Sequence, residues 1–237
     1  MVRLDSKPRS DAANHLKQVA RRLFAERGVD GVTVREIAEA AGQKNHAVVG
    51  YYFGSKENLV RELVVDGARI IDERRNVMLD RLAAGGGPAS VADVVEALVL
   101  PSIGVAGTGP EDEDSYTRFI VMLGMTHREL FMGALENRWN SGYLRCLDHL
   151  RRLMPPMPAA AKNQRFVFIG AYLGAVLAIR EGALTRPGGG HPAWREPQTM
   201  QHFIATVVAI LEAPYDLAPP AEEGDAPRVT GPIGIVD

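Results

Sequence analysis

The sequence predicts an all-α protein in which a small N-terminal domain is joined by one long helix to a larger helical domain. Two observations lead to this prediction. Apolar residues recur at helical spacing along most of the chain, and glycine, proline or acidic stretches separate the periodic segments. No convincing run of alternating apolar and polar residues indicates a β-strand.

Three helices are predicted at the N-terminus. Apolar residues recur at helical spacing over Asp11–Arg27, and Gly28 can cap the end of that helix. The pattern of Thr33–Glu36, a threonine followed three residues later by a glutamate, is a capping box that starts a second helix. Gly42 interrupts the periodicity, and a third helix is predicted from about residue 45 to residue 51.

A long fourth helix is predicted over Lys56–Ala84, where Ser55 can cap its start and Gly85–Pro88 ends it. At about 1.5 Å per residue it would be about 40 Å long, enough to connect two regions of the molecule. Further helices are predicted near residues 90–103, 115–133, 135–153, 159–183 and 197–212. Residues 1–10 and 214–237 are predicted to be flexible tails, and residues 107–114 and 186–192 to be loops.

Composition limits the classes of protein to which the chain can belong. Of its residues 46% are apolar, which is ample for a core, and its net charge is −2. The first 61 residues hold 11 Lys or Arg against 7 Asp or Glu, while the rest hold 16 against 22. A basic N-terminal part suits contact with an anion, although chance clustering is the alternative.

The sequence also predicts where the protein acts. The single cysteine, Cys146, excludes an internal disulfide framework, and the first 13 residues contain no apolar signal-peptide core. Apolar stretches such as Phe166–Ile179 are shorter than the roughly 20 residues that a bilayer requires. We therefore expect a cytoplasmic protein that does not contact a membrane.

The segment REIAEAAGQKNHAVVGYYFGSKENL, residues 35–59, has the pattern of a helix-turn-helix, a motif whose second helix enters the major groove of DNA. Ala38 and Ala41 are small enough to let two helices cross closely. The turn that follows carries hydrogen-bond donors suited to base edges and phosphates. The alternative is an ordinary helical hairpin with a solvated face.

The stretch "ARRLFAERGVDGVTVREIAEAAG" and the later "YYFGSKENL" resemble the N-terminal domain of TetR-family transcriptional regulators. The resemblance covers residues from about 16 to 62. It implies a DNA-binding head, here residues 11–55, and a ligand-binding and dimerisation body, here residues 56–213. Such proteins are usually homodimers, and most are repressors that a small molecule releases from DNA.

The resemblance also implies which residues contact DNA. Thr33 and Lys56 would contact phosphates, and the two tyrosines would lie against the DNA backbone. Lys44, Asn45 and His46, at the start of the predicted third helix, would reach bases. The complete set is Thr33, Gln43, Lys44, Asn45, His46, Tyr51, Tyr52 and Lys56.

Two departures from the family pattern affect these assignments. One extra residue between Gly42 and Phe53 leaves the start of helix three open. Gly50 stands where many members carry a phosphate-contacting tyrosine, and Tyr52 stands where they carry histidine. For Tyr51 the alternative is a packed residue of the head.

A pocket in the body could be lined by Met and aromatic side chains, with His127 or Tyr143 as polar groups. The candidates are Phe119, Met122, Met125, His127, Phe131, Trp139 and Tyr143. This composition favours a largely apolar, uncharged effector. The alternative is that these side chains form ordinary core.

Two helices of the body are apolar over a wide arc and could pair with their symmetry mates in a four-helix dimer interface. The candidates are Phe166, Gly170, Leu173, Gly174, Leu177, Phe203, Val207 and Ile210. Burial within one subunit is the alternative. A symmetric dimer would bind a palindromic operator.

The motifs of serine hydrolases, phosphate-binding loops and zinc sites are missing from the sequence, so we predict no catalytic residues, metal or cofactor. The hypothesis is a dimeric repressor in which a ligand tilts helix four and changes the spacing of the two heads, which lowers the affinity for double-stranded operator DNA. The alternative is a helical ligand- or partner-binding module without sequence-specific DNA binding.

Overall fold

The computed structural model describes residues 11–105, 114–136, 138–185 and 190–216, and these are helices joined by short connections. The helices are α1 (Asp11–Arg27), α2 (Val34–Ala40), α3 (Val48–Phe53), α4 (Lys56–Ala84), α5 (Val91–Val99), α6 (Tyr116–Thr126), α7 (Arg128–Leu135), α8 (Ser141–Leu153), α9 (Ala159–Thr185) and α10 (Thr199–Glu212), with 3₁₀ turns at Leu100–Ser102 and Pro192–Arg195. The described ranges contain no strand, and the predicted all-α class is confirmed. The predicted tail 1–10 and most of the tail 214–237 and of the loops 107–114 and 186–192 lie outside the described residues.

The capping groups predicted in the head are present. The Thr33 hydroxyl accepts a hydrogen bond from the Glu36 amide, and the Glu36 carboxylate accepts one from the Thr33 amide at 2.8 Å. Ser55 caps α4 by accepting from the Asn58 amide at 3.0 Å. These side chains satisfy amides that a helix start leaves without partners, and they fix where α2 and α4 begin.

Three predicted boundaries are wrong. Helix α3 begins at Val48 rather than near residue 45. The helix predicted over 115–133 is two helices, because His127 has a non-helical backbone (φ −137°, ψ 54°) and joins α6 to α7. The helix predicted over 135–153 begins only at Ser141, since Glu136 and Trp139 have positive φ values of 47° and 60°.

One hydrophobic core extends from the head into the body. It contains side chains of α1–α4 together with side chains of α6 and α7. Phe24 of α1 lies 6.0 Å from Phe119 of α6 between ring centroids. Side chains from both sides of the predicted domain boundary between residues 55 and 56 therefore pack in the same core. A second core lies among α5, α8, α9 and α10.

The start of α6 contacts α4 at Gly67. The fully buried Tyr116 ring lies directly against this glycine, and a Cβ atom built there would overlap the ring. The Tyr116 hydroxyl donates a hydrogen bond to the Val64 carbonyl at 2.8 Å. Glycine allows this close approach because it carries no side chain, so Tyr116 fixes the start of α6 against α4.

Helix α9 is long and apolar enough to cross a bilayer by length and composition, in contrast to the shorter apolar stretches seen in the sequence. Core helices of soluble proteins share these features. In this structure α9 packs against α6 and α10, and it carries the buried carboxylate of Glu181.

The Glu181 carboxylate caps the start of α6. Its two oxygens accept hydrogen bonds from the amides of Thr117 and Arg118, each at 2.9 Å. Burial, followed by the negative charge of Asp114, raises the pKa of Glu181 to about 7 despite these bonds. The carboxyl therefore holds its proton more tightly in the folded state than at its usual pKa of 4.5.

We expect this group to make folding stability depend on pH. The folded state binds more protons than the unfolded state between pH 4.5 and about 7, so the free energy of unfolding falls as the pH rises through that window. The loss should be at most about 3 kcal/mol. Urea unfolding from pH 4.5 to pH 8 should show the fall in the wild type and a much flatter profile in Glu181→Gln. The exposed Glu212→Gln is the matched control, and an unchanged slope in Glu181→Gln would assign the dependence to other groups.

Candidate DNA interface and interior cavity

The turn between α2 and α3 closes through a pair of backbone hydrogen bonds. The Gln43 amide donates to the Ala38 carbonyl at 2.9 Å, and the Gly42 amide donates to the Glu39 carbonyl at 3.0 Å. This is the Schellman pattern, and Gly42 supplies the positive φ of 67° that it requires. The chain therefore leaves α2 in a fixed direction.

The predicted base-reading residues lie in this turn and not on α3. Lys44, Asn45 and His46 are exposed, and Gln43 is half-buried. The Asn45 side-chain oxygen accepts from the Ala47 amide at 2.9 Å, so Asn45 helps to start α3. This hydrogen bond restrains the Asn45 side chain within the turn.

Helix α3 has one buried and one exposed face. Val48, Val49 and Phe53 are buried, whereas the Tyr51 side chain is 82% exposed. The Tyr51 ring meets the half-buried Tyr52 ring edge-on, with 5.0 Å between centroids. A large aromatic side chain that is mostly exposed on a short, firmly anchored helix is available for contact with another molecule.

Gly50 lies on the same exposed face as Tyr51, and no atom lies within 4 Å of a Cβ built there. Alanine is favoured over glycine inside a helix, so Gly50→Ala should raise the free energy of unfolding by about 0.5–1 kcal/mol. Chemical denaturation of both proteins measures this difference. A destabilised Gly50→Ala protein would mean that the position is not an open helical site.

Thr33 and Lys56, the two predicted phosphate contacts, already have partners within the head. Thr33 belongs to the capping box, and the Lys56 ammonium donates to the carbonyls of Val29 and Val32 at 3.1 Å each. These bonds hold the loop between α1 and α2 against α4. A phosphate contact by Lys56 would use its third N–H bond.

Most exposed charges of α2 are paired. Arg27 bonds to Glu36, and Arg35 bonds to Glu39, each at 2.8 Å. Hydrogen bonds from the amide and hydroxyl of Thr33, followed by the bond from Arg27, lower the pKa of Glu36 to about 2. Lys44, in contrast, has no hydrogen-bonding or ionic partner in the part of the chain that the structure describes. It places a free positive charge beside the exposed face of α3.

This geometry defines the class of the protein. A helix, a closed turn that carries an unpaired cation, and a short anchored helix that exposes an aromatic ring form a helix-turn-helix domain.

Comparisons with known proteins identify the family. The family model described as "Bacterial regulatory proteins, tetR family" matches residues 17–63. The chain is 39% identical over 64 residues to the HTH-type transcriptional repressor AcnR of Corynebacterium glutamicum, a match that covers 27% of this chain and 34% of AcnR. It is 28% identical over 150 residues to the HTH-type transcriptional repressor KstR2 of Rhodococcus jostii, covering 60% of this chain and 72% of KstR2.

Among solved structures, the TetR-family regulator PfmR from Thermus thermophilus matches 84% of this chain and 99% of its own, with 15% identity and a TM-score of 0.49. The family-model match assigns the N-terminal domain of this chain, residues 17–63, to the TetR family.

The body encloses a cavity of about 60 Å³. Its wall is mainly apolar and combines residues of every helix from α4 to α9. The predicted pocket residues Phe131, Trp139 and Tyr143 line it. Arg75 and Ser102 are among the polar or charged residues that also border it.

The remaining predicted pocket residues lie elsewhere. Phe119 is buried in the shared core, and His127 bonds to Asp30 at 2.9 Å. Met122 and Met125 border a separate open cleft against α1, where Met125 is 83% exposed. These residues lie apart from the cavity because the helix predicted over 115–133 is interrupted at His127, so α7 does not continue in the direction of α6.

The predicted dimer residues are mostly used within one subunit. Six of the eight are buried in the single chain, namely Phe166, Gly170, Gly174, Leu177, Phe203 and Val207. Gly170, Leu173, Gly174 and Leu177 line the interior cavity. Most of these side chains therefore face the interior of the subunit, while Leu173 and Ile210 are half-buried. The exposed apolar residues of α9 lie on its other side, where Phe168 and Ile179 are 61% and 59% exposed.

Sequence reasoning missed two buried charges on α4. Asp72 accepts from the Ser141 hydroxyl at 2.8 Å and from the Gly142 amide at 2.7 Å, so it caps α8. Arg75 donates to the carbonyls of Ala97 and Leu98 at the end of α5. The available signal was an acidic and a basic residue three positions apart on the apolar side of a long helix.

Proposed function

We propose that the protein is a dimeric, DNA-binding transcriptional repressor that reads a palindromic operator in the cytoplasm. The observation that carries the proposal is that one domain with a buried underside exposes both the Tyr51 ring on α3 and the unpaired Lys44 ammonium in the turn before it. Tyrosine and lysine suit the sugar-phosphate backbone and base edges. AcnR and KstR2, which the chain resembles, are named transcriptional repressors.

A dimer would use the outer face of α9. Phe168, Ala171, Ala175 and Ile179 are exposed at helical spacing, which gives α9 an apolar outer stripe. Such a stripe favours self-association about a two-fold axis. The two heads would then occupy half-sites related by the same axis, separated by one or more helical turns of DNA.

A ligand would release the protein from DNA by moving α4. This helix begins in the head, and its residues Ala68, Ile71 and Arg75 line the body cavity. Tyr116 lines the same cavity and packs on α4 at Gly67. A molecule that enlarges the cavity would therefore displace α4 and the head attached to it. It lowers operator affinity only to the extent that it prefers the conformation that does not bind DNA.

Capture of genomic DNA tests this function. The purified protein is incubated with fragmented DNA from its source at two salt concentrations, and the retained fragments are sequenced. We expect a few fragments that share a palindrome and are retained less at higher salt, because phosphate contacts release counterions. Uniform retention, or none, would favour a helical ligand- or partner-binding module instead.

A further inference from the structure

The interior cavity contains a buried cation that its apolar wall does not explain. Arg75 is only 4% exposed and lines the cavity. Its Nε donates to the Ala97 carbonyl at 3.1 Å, and its Nη2 donates to the Leu98 carbonyl at 3.0 Å and approaches the Ser102 hydroxyl at 3.5 Å. None of these acceptors carries a charge.

The guanidinium lacks a close counterion. Among the described residues no carboxylate lies within the 4.0 Å of an ion pair with Arg75, and its Nη1 has no hydrogen-bond acceptor. Asp72 lies one turn earlier on α4, and both of its carboxylate oxygens accept hydrogen bonds from the start of α8. Burial lowers the pKa of Arg75, and the electrostatic interactions with Cys146, Tyr143 and Asp72 offset that lowering only in part. An arginine nevertheless keeps its proton in proteins.

A second donor at the cavity also lacks a partner. The Trp139 indole Nε1 is buried and has no hydrogen-bond partner in the described ranges, and Trp139 lines the cavity. Its backbone lies in the left-handed region with φ 60°, which is rare for a large side chain. Buried polar groups usually find partners, so the unpaired indole N–H of Trp139, at the same cavity as the Arg75 guanidinium, points to an acceptor that occupies the cavity.

We propose that the effector of this regulator is an apolar monocarboxylic acid whose carboxylate pairs with Arg75 while its hydrocarbon part fills the apolar cavity. A carboxylate accepts hydrogen bonds only and matches the geometry of a guanidinium. Arg75 is the single cationic side chain among the described residues of the wall, so a monoanion balances the charge and a phosphate dianion does not. The inference rests on the proposed function and replaces the uncharged effector expected from the sequence.

The size of the cavity adds a condition. About 60 Å³ is much less than the roughly 300–1,000 Å³ of a typical ligand site. An acid of eight or more carbon atoms can bind only if the wall opens. Arg75 and Ile71 lie on α4, so the opening moves the helix that leads to the head.

Fluorescence of Trp139 tests the inference directly. The chain has two tryptophans, so Trp194→Phe leaves Trp139 as the only one. Decanoate and 4-phenylbutyrate are titrated against their matched alcohols, decanol and 4-phenylbutanol. At least one acid should bind about tenfold or more tightly than its alcohol, even though the alcohol is the more apolar molecule.

Two variants assign the preference to Arg75. Arg75→Gln should reduce the preference for the acid to less than about threefold. The matched control is Arg74→Gln, because Arg74 also donates to loop carbonyls, those of Ile103 and Gly104, but does not line the cavity. It should keep the full preference. If Arg75→Gln does not fold, Arg75→Lys keeps the charge and should still favour acids over alcohols.

Several results would overturn the inference: no binding of either acid, equal binding of acids and alcohols, or an unchanged preference in Arg75→Gln. Operator binding of the same proteins separates this failure from failure of the proposed function. If the protein binds DNA specifically but shows no preference for acids, only the claim that a carboxylate pairs with Arg75 is rejected. If the protein prefers acids but does not bind DNA specifically, the carboxylate site is supported and the proposed repressor function is rejected.

Discussion

Replacing Lys44 and Tyr51 together with alanine is expected to reduce operator affinity by at least about a hundredfold while leaving the free energy of unfolding nearly unchanged. Each contact to a base or phosphate contributes about 1–3 kcal/mol, and a dimer would lose both contacts in both heads. Both side chains are exposed, so their removal takes little from the core. Gel-shift titration on a captured operator measures the affinity.

The control removes a similar charge and a similar apolar side chain elsewhere. Met125 and Arg138 are exposed in the body, and their double replacement by alanine should leave operator affinity within about threefold. The Lys44 change should also reduce the dependence of affinity on salt, because one phosphate contact per head is lost. Equal losses in the two double variants would mean that the exposed face of α3 does not contact DNA.

Gly67→Ala is expected to lower the free energy of unfolding by about 1–3 kcal/mol, although the same change normally stabilises a helix. The added methyl group would overlap the buried Tyr116 ring, which must move away from α4. The hydrogen bond from Tyr116 to the Val64 carbonyl would be strained or lost. Denaturant unfolding measures the change.

Two comparisons make this prediction specific. Gly50→Ala is the same chemical change in an open helical position, and it should have the opposite sign. In a Tyr116→Leu background, which removes the ring, Gly67→Ala should cost much less, and the difference is the coupling energy of the pair. Equal costs in both backgrounds would show that the contact does not limit stability at Gly67.

Helix ends were predictable where a local side chain determines them. Thr33 and Ser55 cap their helices through groups within three residues, so the starts of α2 and α4 follow from short motifs. The start of α3 did not follow, because Asn45 uses its side chain to bond Ala47 and delays the helix to Val48. The extra residue in the turn made this ambiguous in the sequence.

The body was predicted less well because its apolar residues have the same pattern whether they face a core, a cavity or a partner. Helix α9 is apolar on nearly every side, so periodicity could not tell Leu177, which lines the cavity, from Ile179, which is exposed. The role of Arg75 depends on which carbonyls and cavity lie around it. Those neighbours come from α5 and α7 and are distant in sequence.

The most direct measurement is a hydroxyl-radical footprint of the wild-type protein on a captured fragment. A dimer that reads DNA with both heads predicts two protected segments, related by the two-fold axis of a palindrome and centred one or more helical turns apart. Each segment should disappear in the Lys44→Ala and Tyr51→Ala double variant. One protected segment without a symmetric partner, or a footprint that the double variant retains, would contradict a dimeric reader that uses α3.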